Sequence, residues 1–249
     1  MTELRVATYN IRKALGTDRR RDPGRVLRVI DALKAEVVAL QEADLRLPPR
    51  RPALDRMEIL QRTGLRPVEF SHGRESLGWH GNALLVSPEI EVEERGHHDL
   101  RSLEPRGLVE AVLSKEGRRF RVFAIHLALA RVVRRAQLSH LGDILAASAE
   151  ELPTLVMGDF NERSTSVGLG RLAKRFTILA EAPTYHSRRP MFSLDRIAHT
   201  GQFRTREVKA VATPESRLAS DHLPLTAELS LAREVGQARQ DASGRLSFK

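Results

Sequence analysis

The stretch Leu155-Val156-Met157-Gly158-Asp159-Phe160-Asn161 decides how the rest of the chain is read. Residues 154–157 are a short β-branched and apolar run, the pattern of a buried strand. The run stops at a glycine, and a carboxylate and a carboxamide follow two residues apart. Side chains alternate along extended backbone, so Asp159 and Asn161 are expected to point one way while Phe160 turns back to pack. An anionic acceptor beside a neutral amide suits a hard cation, its water or a phosphoryl oxygen. A strand ending in a plain polar turn looks the same, so the weight falls on whether the pattern recurs.

It recurs along the whole chain. Asn10 closes the apolar run 4–9, Glu42 follows 37–40, and His126 follows 120–125. Asp195 lies within the run 192–198, and Asp221-His222 stand just ahead of 225–229. Packed sheets gather such ends on one edge, where residues distant in sequence meet. The set holds the parts for metal-assisted phosphoester hydrolysis: carboxylates for Mg²⁺ or Mn²⁺, amides to orient, and histidines that titrate near neutrality. Taken singly, each has a plainer reading. Asn10 fits a turn, Glu42 a solvated strand end, His126 a satisfied core histidine, and Asp221 a turn into Pro224. His97-His98-Asp99 reads as an exposed loop rather than a metal site.

The elements between these residues predict an α/β fold. Asp22-Pro23 reads as a helix start, with Asp as N-cap and Pro in the first turn. Val26, Val29, Ile30, Leu33 and Val37 supply its apolar face. The strand 37–40 completes a strand–helix–strand opening. Residues 47–52 form a Pro/Arg loop, and a short helix over 55–63 is stopped by Gly64. Strands follow at 67–70, 82–86, 108–113 and 120–125, the last two joined through Lys115-Glu116-Gly117 as a hairpin. A second long helix is predicted over 131–151, with Leu138, Leu141, Ile144 and Leu145 inward. Strands at 154–157, 192–198, 207–211 and 225–229 complete the list. The two β-rich halves can each supply one sheet.

Composition bounds the remaining choices. The chain has 249 residues and no composition break, which predicts one domain over residues 1–232 and a polar, frayed tail over 233–249. No run approaches the ~18 apolar residues of a membrane span. Met1-Thr2-Glu3 leads straight into a strand without a leader pattern, and there are no cysteines. Both features fit a cytoplasmic protein in a reducing compartment. The net charge of +9 and a pI near 10.6 point to an anionic partner. Only 6 of the 41 basic residues are lysine, so genome composition accounts for part of that excess. Aromatics at 4% argue against an extended base-stacking platform.

Thr8-Tyr9-Asn10, Leu40-Gln41-Glu42, Gly81-Asn82-Ala83, Ile125-His126-Leu127, Gly158-Asp159-Phe160-Asn161, Leu194-Asp195-Arg196 and Ser220-Asp221-His222-Leu223-Pro224 together resemble the motifs of the endonuclease/exonuclease/phosphatase family. They stand in family order and span residues 4 to 230. The resemblance implies a four-layer α/β/β/α sandwich of two mostly antiparallel sheets, and divalent-metal hydrolysis of a phosphoester with Mg²⁺ or Mn²⁺. By the same resemblance Glu42 is the principal metal ligand, supported by Asn10, with Asp221 holding the metal or its water. Asp159 orients or deprotonates the attacking water, and Asn161 holds that water or a phosphate oxygen. His222 stabilises developing charge or acts as general acid or base, Asp195 fixes its orientation, and His126 faces the scissile phosphate. Asn82 belongs to the substrate-facing set. A cluster of carboxylates repels an anionic substrate unless cations compensate. Arg12, Arg19 to Arg21, Arg50, Arg51, Arg106 and Arg134 are the expected sources, with Arg106 and Arg134 foremost.

The abasic-site branch fits poorly, because Gln41-Glu42-Ala43-Asp44 replaces its usual sequence and Trp79 is the one tryptophan. Gln-Glu-Ala-Asp with Glu104-Pro105-Arg106-Gly107 resembles uncharacterised bacterial hydrolases of the family. Nucleic acid is the favoured substrate, with phospholipid or a small phosphorylated metabolite as the alternative. A non-catalytic anion-binding module of the same fold is the second alternative. A monomer is expected.

Overall fold

The computed structural model describes residues 1–45, 50–70, 76–100, 106–148, 150–164, 169–179 and 182–232. The first part of the chain runs β1 (Thr2–Asn10), α1 (Pro23–Leu33), β2 (Val37–Gln41), α2 (Arg56–Thr63), β3 (Arg66–Pro67), β4 (Ala83–Val86), β5 (Glu91–Leu100), β6 (Arg106–Lys115) and β7 (Arg118–His126). It continues with α3 (Arg131–Ala147), β8 (Thr154–Asp159), α4 (Gly170–Ala173), β9 (Thr177–Leu179), β10 (Asp195–His199), β11 (Phe203–Ala210), α5 (Pro214–Ala219) and β12 (Leu225–Leu231).

Two six-stranded sheets result, ordered β11-β12-β1-β2-β4-β3 and β5-β6-β7-β8-β10-β9. Each contains one parallel pair, β1 with β2 and β7 with β8, and is otherwise antiparallel. A parallel pair needs a crossover connection, supplied by α1 in one sheet and α3 in the other. The sheets bury Leu4, Val6, Leu84, Val122, Met157 and Leu229 between them. On the outer face of the first sheet, Val26, Ile30, Leu33 and Ile59 pack over Tyr9 and Leu40. Leu138, Leu141 and Leu172 cover Phe123 and Val156 on the second. The layers are therefore α/β/β/α, as the motifs imply.

Local chemistry explains the helix ends. Asp22 caps α1, its Oδ1 accepting the Arg25 N–H at 2.9 Å. The Asp55 carboxylate accepts the Met57 and Glu58 N–H groups at 2.9 and 3.0 Å, and Gly64 ends α2 at φ 68°.

Several expectations need correction. Val37 belongs to β2 and not to the α1 face, because the helix ends at Lys34 in a left-handed cap. Helix α3 stops at Ala147, short of residue 151. The strand expected over 67–70 shrinks to Arg66–Pro67, and the one expected over 192–198 begins at Asp195. His97-His98-Asp99 lie in β5, not in a loop. That edge strand is largely exposed and charged, so it lacks the alternation that marks a half-buried strand. Nor does each half of the chain form one sheet: β11 and β12 return to the first sheet, where β12 pairs with β1 from Thr2↔Leu231 to Thr8↔Leu225. The tail 233–249 lies outside the described residues.

Candidate active site

The inter-sheet stripe turns polar at one end. Ala124, Met157 and Ile197 face the other sheet. Two residues after the first two and two before the third come His126, Asp159 and Asp195, at the same end of the sheet because β10 is antiparallel to β8. These three form a row across β7, β8 and β10, with His126 opposite Asp159 and Asp159 opposite Asp195. In the first sheet Leu4 and Val6 face the same core, and the alternation carries through Thr8 to Asn10. The two sheets touch through a hydrogen bond from Asn10 Nδ2 to Asp159 Oδ2 at 3.1 Å. His222 enters from just ahead of β12, with Nδ1 2.7 Å from Asp195 Oδ2 and Nε2 3.8 Å from Asp159 Oδ2. His126 Nε2 lies 3.5 Å from the same Asp159 oxygen. Asn10, His126, Asp159, Asp195 and His222 are all buried. Five of the expected residues therefore meet.

Their environment sets their charge. Burial and the neighbouring Asp195 charge push Asp159 up to about 6, opposed by His222, the Asn161 N–H and the Asn10 amide. Burial disfavours a charged His222, but the Asp195 and Asp159 carboxylates outweigh it and raise the imidazole to about 9. His222 is thus a cation at neutral pH, with Nε2–H as a donor.

The other expected residues hold varied positions. Asn161 adopts φ 50°, its N–H donating to Asp159 Oδ1 at 2.9 Å and its Nδ2 to the Leu127 carbonyl at 2.8 Å. It therefore fixes Asp159 and the loop after β7. Glu42 follows β2 with φ 51°, and its carboxylate pairs with Lys13 Nζ. Asp221 Oδ2 lies 3.4 Å from Arg12 Nε. Asn82 is fully buried, and its Nδ2 donates to the Gly107 carbonyl at 2.8 Å. Among the described residues its Oδ1 has no hydrogen-bond partner. Arg106 opens β6, but its side chain lies outside what is described. Arg134 is not a rim cation: its guanidinium is buried, 2.9 Å from Glu162 Oε2 and bound to the Ala128 and Leu129 carbonyls. Its position on the inward side of α3 explains this.

Sequence reading overlooked three contributors. Lys13 sits in a turn where Arg12, Lys13 and Ala14 all have positive φ, between 48° and 57°. That turn brings its ammonium to Glu42. Ser220 Oγ donates to the Asn10 carbonyl at 2.6 Å and accepts the His222 N–H at 3.3 Å, tying the two motifs together. The Tyr185 ring lies 4.9 Å from the His222 ring. Only Ser220 carried a signal, as the residue opening Ser-Asp-His.

Ligand atoms of Asp159, Asp195 and His222 lie within 4.8 Å of one another. Asp195 already engages His222 Nδ1 at 2.7 Å. Glu42 is a further carboxylate beside this cluster in the fold: it pairs with the Lys13 ammonium and follows a strand adjacent to Asn10.

The sequence model of the endonuclease/exonuclease/phosphatase family matches residues 7–222. No curated protein matches the chain. Among solved structures, Bacteroides thetaiotaomicron VPI-5482 mannosyl-6-phosphatase Bt3783 is 17% identical, with a TM-score of 0.73, over 92% of this chain and 100% of that one. The human Nocturnin catalytic domain with bound sulfate is 22% identical, with a TM-score of 0.71, over 92% and 95%. D. rerio TDP2 complexed with single-strand DNA product is 16% identical, with a TM-score of 0.71, over 92% and 100%. Taken with the sandwich and the polar row between its sheets, the match over residues 7–222 means that the chain belongs to the endonuclease/exonuclease/phosphatase family, a family of phosphoester hydrolases.

Proposed function

We propose that the protein is a divalent-metal-dependent phosphodiesterase acting on nucleic acid. The observation that carries the reading is the buried junction of Asn10, Asp159, Asp195 and His222, drawn from both sheets. Glu42, with help from Asn10 and Asp221, would hold Mg²⁺ or Mn²⁺. Such an ion supplies charge neutralisation at the phosphate and lowers the pKa of bound water.

The chain's own residues do the rest. Asp159, fixed by Asn10 and the Asn161 N–H, accepts a hydrogen bond or proton from the attacking water. His222 directs its Nε2–H toward the oxygen on which charge develops, and Asp195 holds the imidazole at Nδ1 and favours its cation. His126, on the far side of Asp159, contacts the same phosphate. Groups tied by such hydrogen bonds would need little reorganisation on substrate binding.

Nucleic acid is favoured by the +9 charge and by the D. rerio TDP2 structure with its DNA product. A small phosphorylated metabolite is the second reading, favoured by the likeness to a mannosyl-6-phosphatase. A panel of DNA, RNA, glycerophospholipid, inositol phosphate and hexose phosphate, assayed with Mg²⁺ or Mn²⁺ and with chelator, tests both. Chelator-sensitive release of nucleotides is expected. Turnover confined to phosphomonoesters overturns the first reading, and no turnover on any member overturns both.

A further inference from the structure

The turn after β1, the loop after Tyr185 and helix α5 meet beside His222. The Ser187 N–H donates to the Asp221 carbonyl at 2.7 Å, and its hydroxyl reaches the Ser220 and Arg217 carbonyls at 2.6 and 3.1 Å. The Thr17 N–H donates to the Leu218 carbonyl at 2.9 Å, and its hydroxyl to the Arg217 carbonyl at 3.1 Å. Into this knot two guanidiniums are laid. Arg217 Nη1 donates to the Ser187 and Arg188 carbonyls at 2.7 and 3.1 Å, and Arg188 Nη2 to the Thr17 carbonyl at 2.8 Å. Arg21, in the turn after β1, binds the Lys13 carbonyl.

Their partners are backbone carbonyls, which position a guanidinium without neutralising it. Among the described residues, none of Arg21, Arg188 and Arg217 has a carboxylate within ion-pair distance. Arg25, Arg28 and Arg119 are instead paired with Asp18, Glu215 and Glu150. Arg21 and Arg188 are exposed, and each bound guanidinium offers five N–H donors, of which one nitrogen is used here by each of these three. A guanidinium held by carbonyls alone keeps its full positive charge for an anion. The knot is hydrogen-bonded directly to Ser220-Asp221, one residue from His222.

We propose that Arg188 and Arg217, with Arg21, form a subsite for the phosphate next to the scissile one in a nucleic-acid strand. This rests on the phosphoesterase reading and narrows its substrate. A strand carries a charge at every nucleotide and so reaches both places, whereas a monoester or small diester has no second phosphate to offer. Contact through phosphates also suits a chain poor in aromatics.

Binding of a fluorescein-labelled oligodeoxynucleotide, followed by anisotropy between 50 and 200 mM NaCl with chelator present, tests the subsite. Arg188→Ala and Arg217→Ala are each expected to weaken binding roughly tenfold. Each is also expected to reduce the slope of log affinity against log salt by about 0.7. Arg119→Ala, at the opposite end of β7, changes neither. Should Arg217→Ala melt abnormally by circular dichroism, the exposed Arg188→Gln carries the test. Wild-type affinity and slope in the Arg188 variants, or no binding by wild type, overturns the proposal. Loss of binding to phosphatidylglycerol vesicles with oligonucleotide binding intact assigns the arginines to a lipid surface instead. Hydrolysis of an aryl phosphodiester by wild type is read separately, and its absence removes the phosphoesterase reading without touching the binding result.

Discussion

Asp195 shows how one side chain sets the behaviour of the next. Its Oδ2 engages His222 Nδ1, and its charge is the main reason that imidazole holds a proton despite burial. Lys13 places its ammonium against the Glu42 carboxylate. On the proposed function, metal entry would mean replacing an ammonium, and Glu42 is the side chain on which affinity should depend. Glu42→Gln is expected to weaken Mn²⁺ binding, measured calorimetrically without substrate, by more than the roughly 10–100-fold cost of losing a surrounding partner. Unchanged affinity would move the ion elsewhere, with Asp159 and Asp195 the next carboxylates to test. The carboxylates, amides and histidines of this site were legible because each ends or opens an apolar run. Lys13 was not, since its role depends on three consecutive left-handed residues that no composition rule anticipates.

At the scale of elements, β8 carries the most constrained position. Gly158 has φ 155°, and a Cβ there would lie 1.9 Å from the Ile125 carbonyl oxygen on the adjacent parallel strand. The strand thus approaches β7 more closely than any side chain allows, and this keeps His126 opposite Asp159. Gly158→Ala should cost about 3 kcal/mol in urea unfolding, at the upper end for overpacking, and should lower turnover with it. An unchanged midpoint would mean that the strands can part without loss. The loop before α1 is tied differently. Asp18 accepts two hydrogen bonds from Arg25, at 2.8 and 3.1 Å, and that guanidinium holds its carboxyl well below the usual range. A depressed carboxylate contributes stability above its unfolded pKa of ~3.9 and loses it as pH falls below that value. Asp18→Asn should therefore flatten the fall in thermal stability below about pH 4, and an identical profile would show the pair to be idle. The helix starts were readable from Asp22-Pro23 and from Asp55. Strand β5 was not, because an exposed edge needs no apolar face.

At the scale of the whole molecule, the outcome is a polar junction between two sheets whose strands come from opposite ends of the chain. Strand β12, nearly the last described segment, pairs with β1 and so brings His222 beside Asn10. The order of the motifs announced the sandwich, but this closure was not visible in a chain whose two halves look equally rich in strands. The second sheet supplies Asp159 and Asp195, and neither sheet alone holds the set. On the proposed function, this meeting of sheets breaks a phosphorus–oxygen bond. The most direct test is the steady-state turnover of bis(4-nitrophenyl) phosphate, with Mn²⁺, by the wild-type and His222→Ala proteins. The wild type should turn over, and the variant, folded as judged by circular dichroism, should lose about 10²–10⁴-fold in kcat. Full turnover by the His222→Ala protein would mean that the junction is not where the bond is broken.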